Sequence, residues 1–441
     1  MNDVEIVRGI AQPLTGSPND YEALLELIGD ARIVLLGEAS HGTHEFYSER
    51  AAITKRFIAE KDFTVITIEA DWPDSSRVHR YVRVASDDAN AGEALSGFRR
   101  FPTWMWRNTV VVEFVEWLRE FNRHLDSKKA PAGFYGMDLY SLHASIDAVL
   151  GYLEKVDPDA AKRARGRYSC FDHFGREPQE YGYAATVGAI ESCEDEVVEQ
   201  LVELQRKGAE FLSREGEVAA EELFFAEQNA RLVKNAEKYY RSMFRGRASS
   251  WNLRDQHMVE TIDALVAHLD GSRQPKAIVW AHNSHLGDAR ATEMSQHSEL
   301  NVGQLVRERF ASEAVLIGFS TNHGTVTAAS DWGAQAERKR VRPALQGSYE
   351  KLFHETGLPR FWINLRDADE KIDVLRESRL ERAIGVIYRP ETERLSHYFH
   401  ARLPEQFDAV IHIDETHAVE PLERTSIWDE GELPETYPFQ V

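Results

Sequence analysis

The chain lacks most of what would place it in a familiar enzyme or binding class. Among 441 residues there are two cysteines, Cys170 and Cys193, and no Cys-x-x-Cys pair. That removes a zinc ribbon and a redox dithiol, leaves no disulfide framework and fits a reducing cytosol. No Gly-x-Ser-x-Gly elbow occurs, so the usual serine-hydrolase nucleophile is missing. Ser40, inside Gly37-Glu-Ala-Ser-His-Gly42, has the wrong spacing for it. A His-Glu-x-x-His zinc motif, a Walker loop and a dinucleotide Gly-x-Gly-x-x-Gly are also missing.

Positive charge is scarce. Lys+Arg 52 against Asp+Glu 73 gives a formal charge of -21. Such a field argues against nucleic-acid or anionic-membrane partners. The short basic spots Arg99-Arg100 and Arg338-Lys-Arg340 read as solvated surface. No apolar stretch approaches the roughly 18 residues of a membrane span. The start, Met-Asn-Asp-Val-Glu, is acidic and has no run of signal-peptide length. The expectation is a soluble, cytoplasmic protein acting on a small molecule, with its oligomeric state open.

A hydrophobic fraction of 42% supports a full-sized core. Without repeats, low-complexity tracts or a flexible linker, one α/β domain over residues 1–441 is the simplest organisation. A helix over Tyr21–Ile28, capped by Asn19 or Asp20, precedes the apolar strand Ile33–Leu36. Helical spacing of Phe46, Arg50, Ile53 and Phe57 then carries the chain from Thr43 to about Lys61, and Thr64–Ala70 is the next strand. This βαβ unit sets Glu38 and Glu69 at the carboxyl ends of parallel strands read as neighbours. Gly133–Asp138 is a third strand ending in an acid.

Residues 141–270 are nearly all helical and read as an insertion or cap, with Gly166–Tyr183 as a connecting loop. Lys276–Ala281 is a strand running into His282-Asn-Ser-His285. Further strands are expected at Ala314–Phe319, Thr325–Ala329, Phe361–Leu365, Ala383–Tyr388 and Ala409–Ile413, the first two joined by a hairpin turn at Asn322-His-Gly324. The tail from Glu420 reads as a polar surface segment. The fold class is therefore α/β, a mixed but mainly parallel sheet flanked by helices, with a large helical insertion.

Four strands end in ionisable residues: Glu38, Glu69, Asp138 and His282. One sheet edge that gathers four such side chains is a candidate site. Glu38-x-x-His41 pairs a carboxylate with a base that works near neutral pH. His282 and His285 either face the same cavity or sit at the surface. Arg50 either stabilises an oxyanion or is the salt-bridge partner of Glu38 or Glu69. Trp104 and Trp106, beside Arg107, either line a cleft or fill a core corner. With no nucleophile and no cofactor loop, the chemistry left is water activated by a histidine. The same Glu/His cluster could instead hold zinc, manganese or iron.

Taken together, Gly37-Glu38-x-x-His41-Gly42, Arg50, Glu69, Trp104-Met-Trp-Arg-Asn108, Tyr135-Gly-Met-Asp138, Arg254-Asp255-x-x-Met258 and Ala281-His-Asn-Ser-His-Leu-Gly287 resemble the erythromycin esterase family, from residue 20 to about 330. Some members are labelled as succinoglycan-biosynthesis proteins. The resemblance implies ester or lactone hydrolysis without a covalent serine intermediate and without a required metal or other cofactor. It also implies that His41 is the base, that Glu38 and Glu69 orient it, that His282 or His285 assists, and that Arg50 supports the site. Trp104, Trp106, Arg107 and Asp138 are the expected substrate contacts. The wider superfamily includes iron- and haem-handling proteins, which leaves a binding protein as an alternative.

Overall fold

The computed structural model describes residues 2–17, 19–174, 178–215, 217–270, 274–366 and 370–431. Its strands, in chain order, are β1 Gln12–Pro13, β2 Ile33–Leu36, β3 Val65–Asp71, β4 Gly133–Asp138, β5 Ala277–Trp280, β6 Ala314–Ala328, β7 Glu337–Val341, β8 Arg360–Asn364, β9 Arg379–Arg382, β10 Tyr398–Ala401 and β11 Ala409–Thr416. Nine of them form one sheet in the order β1-β8-β11-β6-β2-β5-β3-β4, with β7 on the far part of β6. From β11 to β4 all pairings are parallel, and β1, β7 and β8 join antiparallel.

The central strands are short apolar runs because helices cover both faces of the sheet. Alternate residues along one strand enter different cores. Ile33, Leu35, Ala277 and Val279 pack with the helices between β4 and β5, including Val149, Leu232 and Ile262. Val34, Leu36, Ile278 and Trp280 pack on the other face with Phe46, Ile53, Phe57 and Phe114. The helices between β4 and β5 run from Leu142 to Leu269. No helix among the described residues is long and apolar enough to cross a membrane.

Several expectations are corrected. The hairpin at Asn322–Gly324 does not form, because β6 runs unbroken from Ala314 to Ala328. β11 continues beside it to Thr416, pairing His323 with Glu415 and Gly324 with Thr416. These ladder bonds carry the strand through a turn-like sequence, and Gly324, at φ 139°, tolerates the close approach of Thr416. Residues 383–388 form only isolated bridges, Ser40 to Ile384 and Ala329 to Ile387, while the regular pair nearby is β9 with β10. Gly166–Tyr183 is helical wherever it is described: Pro158–Tyr168 ends in it, Ser169–Phe174 is a 3-10 turn, and Pro178 starts the next helix. Residues 175–177 lie outside the described residues.

Asp20 does not cap the helix Glu22–Ile28. Its carboxylate accepts the backbone N–H groups of Thr15, Gly16 and Ser17 instead. Cys170 and Cys193, read as leaving no disulfide framework and as fitting a reducing cytosol, are joined in a disulfide across the helical insertion, with their Cα atoms 6.1 Å apart. The tail from Glu420 is not wholly at the surface. A helix Ser426–Glu430 buries Trp428, whose indole donates to Thr327 Oγ1 at 2.8 Å. Residues 432–441 lie outside the described residues.

Gly42 is needed for space rather than for an unusual φ. Its carbonyl accepts the N–H groups of Thr327 and Val419 at 3.0 and 2.8 Å. A Cβ placed there would collide with the Thr327 carbonyl, which is backbone and cannot swing aside. Gly42→Ala should lower unfolding free energy by about 1–3 kcal/mol, the usual cost of overpacking, as read from urea denaturation. An unchanged midpoint would show that the turn after β2 has slack.

Candidate active site

β2, β5, β3 and β4 lie side by side in that order. At or just past their carboxyl ends stand Glu38, His282, Glu69 and Asp138. β2 and β3 are not neighbours as expected, for β5 inserts between them and pairs Trp280 with both Leu36 and Ile68. That insertion brings a histidine from far along the chain to the first turn. The chain then crosses from β5 over β2 to β6, so strand order reverses at this point. Open α/β sheets bind ligands at such a reversal. The turn after β5 is tied to both sides: His282 N–H donates to Glu69 Oε2 at 2.9 Å, and Asn283 N–H donates to the Glu38 carbonyl at 2.8 Å.

His41 Nδ1 lies 2.9 Å from Glu38 Oε1. Arg50 Nη2 donates to Glu38 Oε2 at 2.7 Å. Arg50 is fully buried between the rings of Tyr47 and Trp280, 4.6 and 5.1 Å from their centroids. Of the two roles open to it, the geometry gives it the salt bridge with Glu38, and it does not reach the cavity. A carboxylate on Nδ1 fixes the proton there and leaves the lone pair on Nε2. That nitrogen is 4.0 Å from Glu69 Oε1. The Tyr47 hydroxyl donates to the His41 carbonyl at 2.7 Å and holds the turn. Ser40, the near miss for a nucleophile, is buried with its hydroxyl bonded to that of Thr43, and Thr43 gives no side-chain cap to the helix His44–Lys61.

Glu69 is the hub. Its Oε1 accepts from Arg254 Nη2 at 2.7 Å and lies 3.4 Å from His285 Nε2. Burial opposes its charge, but His285, His41 and Arg254 hold it well below the usual carboxylate range. Arg254 also forks onto Asp138, Nε to Oδ1 at 2.9 Å and Nη2 to Oδ2 at 2.7 Å. Asp138 is buried, which opposes its charge, yet Arg254 pulls its pKa down. His285 Nδ1 faces Asp255, 2.9 and 3.0 Å from its two oxygens. Burial works against a charged His285, but Asp255 and Glu69 outweigh it and raise the group to about 9. His282 goes the other way: burial, with His41 beside it, holds it well below the ordinary histidine value. Its Nδ1 accepts the Ser284 N–H at 3.2 Å, and its ring lies 4.8 Å from that of His41.

These groups open onto a cavity of about 760 Å³. His41, Glu69, Asp138, Arg254, His282 and His285 line its floor, with Phe98, Phe101, Met105 and Trp106 on one wall. The Trp106 indole donates to the Glu69 carbonyl at 3.2 Å. The facing wall is a strap from residues 383–399, contributing Ala383, Gly385, Val386, Leu395 and Phe399 among others. The strap is sewn to the turn after β2: Ile384 N–H donates to the Ala39 carbonyl at 2.8 Å, and His41 N–H donates to the Ile384 carbonyl at 3.2 Å. Two expected substrate contacts are not there. Trp104 is buried against Phe101 as part of the core, and Arg107 points away to pair with Glu423.

Arg254 and Asp255 had no assigned role in the sequence, although both stand in the family-like pattern. The available signal was an Arg-Asp pair in the middle of a long helix, Arg247–Leu269, where two adjacent charges need buried partners. Trp251, one turn earlier, stacks on His285 with centroids 4.5 Å apart and planes at 6°. Among the described residues, no three His, Cys, Asp or Glu side chains converge as a metal ion would require.

The opposed shifts set the pH range of this cluster. Glu69, depressed from 4.5, contributes stability in full above pH 4.5 and loses it as pH falls through its lower folded value. His285, raised from 6.5 to about 9, contributes in full below pH 6.5 and loses it as pH rises through about 9. The urea midpoint should therefore fall between pH 6.5 and 9, and His285→Gln should flatten that decline. Equal slopes in the two proteins would mean that His285 carries no linked charge.

A family model for erythromycin esterase matches residues 58–416. The match begins after the Gly37–Arg50 turn, so Glu38, His41 and Arg50 rest on the geometry above. The putative hydrolase YbfO of Bacillus subtilis (strain 168) is 22% identical over 430 residues, covering 92% of this chain and 89% of that protein. Erythromycin esterase type II of Escherichia coli is 21% identical, covering 86% and 93%. Among solved structures, a succinoglycan biosynthesis protein superposes with a TM-score of 0.75 at 21% identity, over 95% of this chain and 98% of that one. The erythromycin esterase mutant EreC in its open conformation superposes with a TM-score of 0.68 at 18% identity, over 94% and 98%. At these identities the structural likeness speaks for the fold, a mainly parallel sheet between helices. The family match, which spans most of the sequence, supplies the membership: the chain belongs to the erythromycin esterase family.

Proposed function

We propose that the protein hydrolyses a carboxylic ester or lactone with water activated by His41, and without a covalent enzyme intermediate. The observation that carries this is the arrangement of one histidine: Nδ1 is committed to Glu38, Glu38 to Arg50, and Nε2 is left facing the cavity. A water held at Nε2 gives up a proton as its oxygen attacks the carbonyl, and Glu38 stabilises the imidazolium that forms. Glu69, 4.0 Å from Nε2, adds a second negative charge beside it. The neutral His282 packs against His41 without competing for that proton. A histidine after β5 then serves the leaving group. The substrate stays at the level of a class. Two relatives are named for erythromycin, but no residue lining the cavity singles out a macrolide.

The test is turnover of a panel of esters and lactones, erythromycin among them, by the purified protein. His41→Ala should fold normally and lose roughly 10²–10⁴ in rate, the usual contribution of a general base. A folded variant that keeps the original rate would overturn the assignment of His41. Treatment with a chelator should leave the rate unchanged. Activity lost on chelation and restored by one added metal ion would overturn the metal-free mechanism.

A further inference from the structure

Charge on the cavity wall is matched almost everywhere. Glu69, Asp138, Arg254 and His285 satisfy one another at the floor. Elsewhere on the wall Arg247 meets Glu299 at 3.1 Å, and Glu293 accepts the His400 N–H at 3.2 Å. Two charges are left over. Among the described residues the Asp74 carboxylate has no hydrogen-bond or ion-pair partner, and the Arg100 guanidinium donates only through its Nε. Resting on the hydrolase reading above, we propose that these two side chains bind the head group of a zwitterionic substrate, an ester that carries a carboxylate for Arg100 and an ammonium group for Asp74.

Arg99-Arg100 reads in the sequence as solvated surface. Arg99, whose Nε donates to the Ser96 carbonyl at an exposed position, fits that reading. Arg100 does not, for it lines the cavity. Its Nε donates to Asp71 Oδ2 at 2.9 Å, and Asp71 Oδ1 accepts the Tyr140 N–H at 3.0 Å. The guanidinium lies over the Tyr140 ring, 4.5 Å from its centroid, which sets its plane. Burial works against its charge, but Asp71 and Asp138 outweigh it. With Nε fixed, the edge that carries Nη1 and Nη2 is free, and 42% of the side chain stays open. Two parallel N–H bonds from that edge match the two oxygens of a carboxylate.

Asp74 stands in the first turn of the helix Trp72–Val82. Its Oδ1 rests against Gly97, where a Cβ would come within 3.3 Å of it. It therefore sits at the root of the loop that brings Phe98, Arg100 and Phe101 to the same wall. Burial, with Asp71 beside it, pushes its pKa up to about 7, and Arg100 pulls the other way without reaching ion-pair distance. A carboxylate in such surroundings is costly to ionise, and an ammonium group is the ligand chemistry that relieves it. An anion alone at Arg100 would face Asp71 and Asp74, and a cation alone at Asp74 would face Arg100. A substrate with both charges meets each with its complement. Arg254, whose Nη2 donates to Glu69 on the floor, lies over the same Tyr140 ring at 4.9 Å. The ester to be cleaved then stands on the His41 side of that ring, several bonds from the charged end.

Four series of nitrophenyl esters, matched in spacers of graded length, test this. The far end of the acyl chain carries both charges, the carboxylate alone, the ammonium alone, or neither. The doubly charged series should give the highest kcat/KM. Arg100→Gln should raise KM on the carboxylate-bearing esters on the order of 10–10²-fold, the worth of hydrogen bonds to a charged group, with kcat nearly constant. Asp74→Asn should do the same on the ammonium-bearing esters. On the uncharged esters both effects should be at least about ten-fold smaller. Arg100→Lys keeps a charge for Asp71 but loses the fork, and should lose the carboxylate preference even if Arg100→Gln fails to fold. One KM for all four series, or an equal rise on all four in the variants, would overturn the proposal. A preference for one charge alone would overturn it too. Calorimetric binding of the four matching amides needs no turnover. If they bind in the expected order while no ester is cleaved, the hydrolase reading fails and the head-group site stands. Equal binding of all four would sink the site itself.

Discussion

Everything at the cavity floor depends on one buried carboxylate staying ionised. Glu69 is withdrawn from water, and a lone carboxylate there would take up a proton at neutral pH. It does not, because Arg254 donates to it, His285 and His41 face it, and the His282 backbone N–H closes its other oxygen. The same contacts run outward. Arg254 is held by Asp138, His285 by Asp255, and His41 by Glu38 with Arg50 behind it. The result is an alternating lattice of charges, most of them in direct contact. Such lattices are sensitive to the loss of any one partner, because the remaining charge is left buried and unpaired.

The scaffold that permits this lattice is the strand order. β5 between β2 and β3 sets the His282–His285 turn between two glutamates that are otherwise one strand too far apart. The glycines on this edge allow the turns to close. A side chain on Gly37 would collide with the Asn283 amide, and one on Gly42 with the Thr327 carbonyl. The candidate site is built from four strand ends and one long helix, elements far more rigid than loops, which hold its groups at fixed distances.

Much of this was legible in the sequence, for definable reasons. Continuous apolar runs such as Ile33–Leu36 and Ala277–Trp280 are what a sheet buried on both faces demands, and they end in polar residues only where something uses them. The composition of the site followed from that, as did the helical nature of residues 142–269. Strand order did not, because local pattern says nothing about which strand inserts between two others. Arg254 and Asp255 were hidden for a related reason: on a helix, adjacent charges look like solvent-facing residues until the partners Asp138, Glu69 and His285 are in place. Trp104 and Arg107 misled because a Trp-Met-Trp-Arg run has the composition of a binding wall. Only the packing reveals that Met105 and Trp106 face the cavity while Trp104 faces the core and Arg107 reaches Glu423.

The strap of residues 383–399 bears on how a ligand could reach the cavity floor. Ile384 bonds through its own N–H and C=O to Ala39 and His41, and two residues on, Val386 and Tyr388 bond to Ala329. The outer wall and the backbone of His41 thus belong to one hydrogen-bonded ribbon. A ligand bulky enough to push residues 383–388 outward pulls on the peptide units that aim the imidazole. The fit of a guest against this wall and the aim of the His41 ring are then one mechanical variable, because no movement of the strap leaves the turn after β2 untouched.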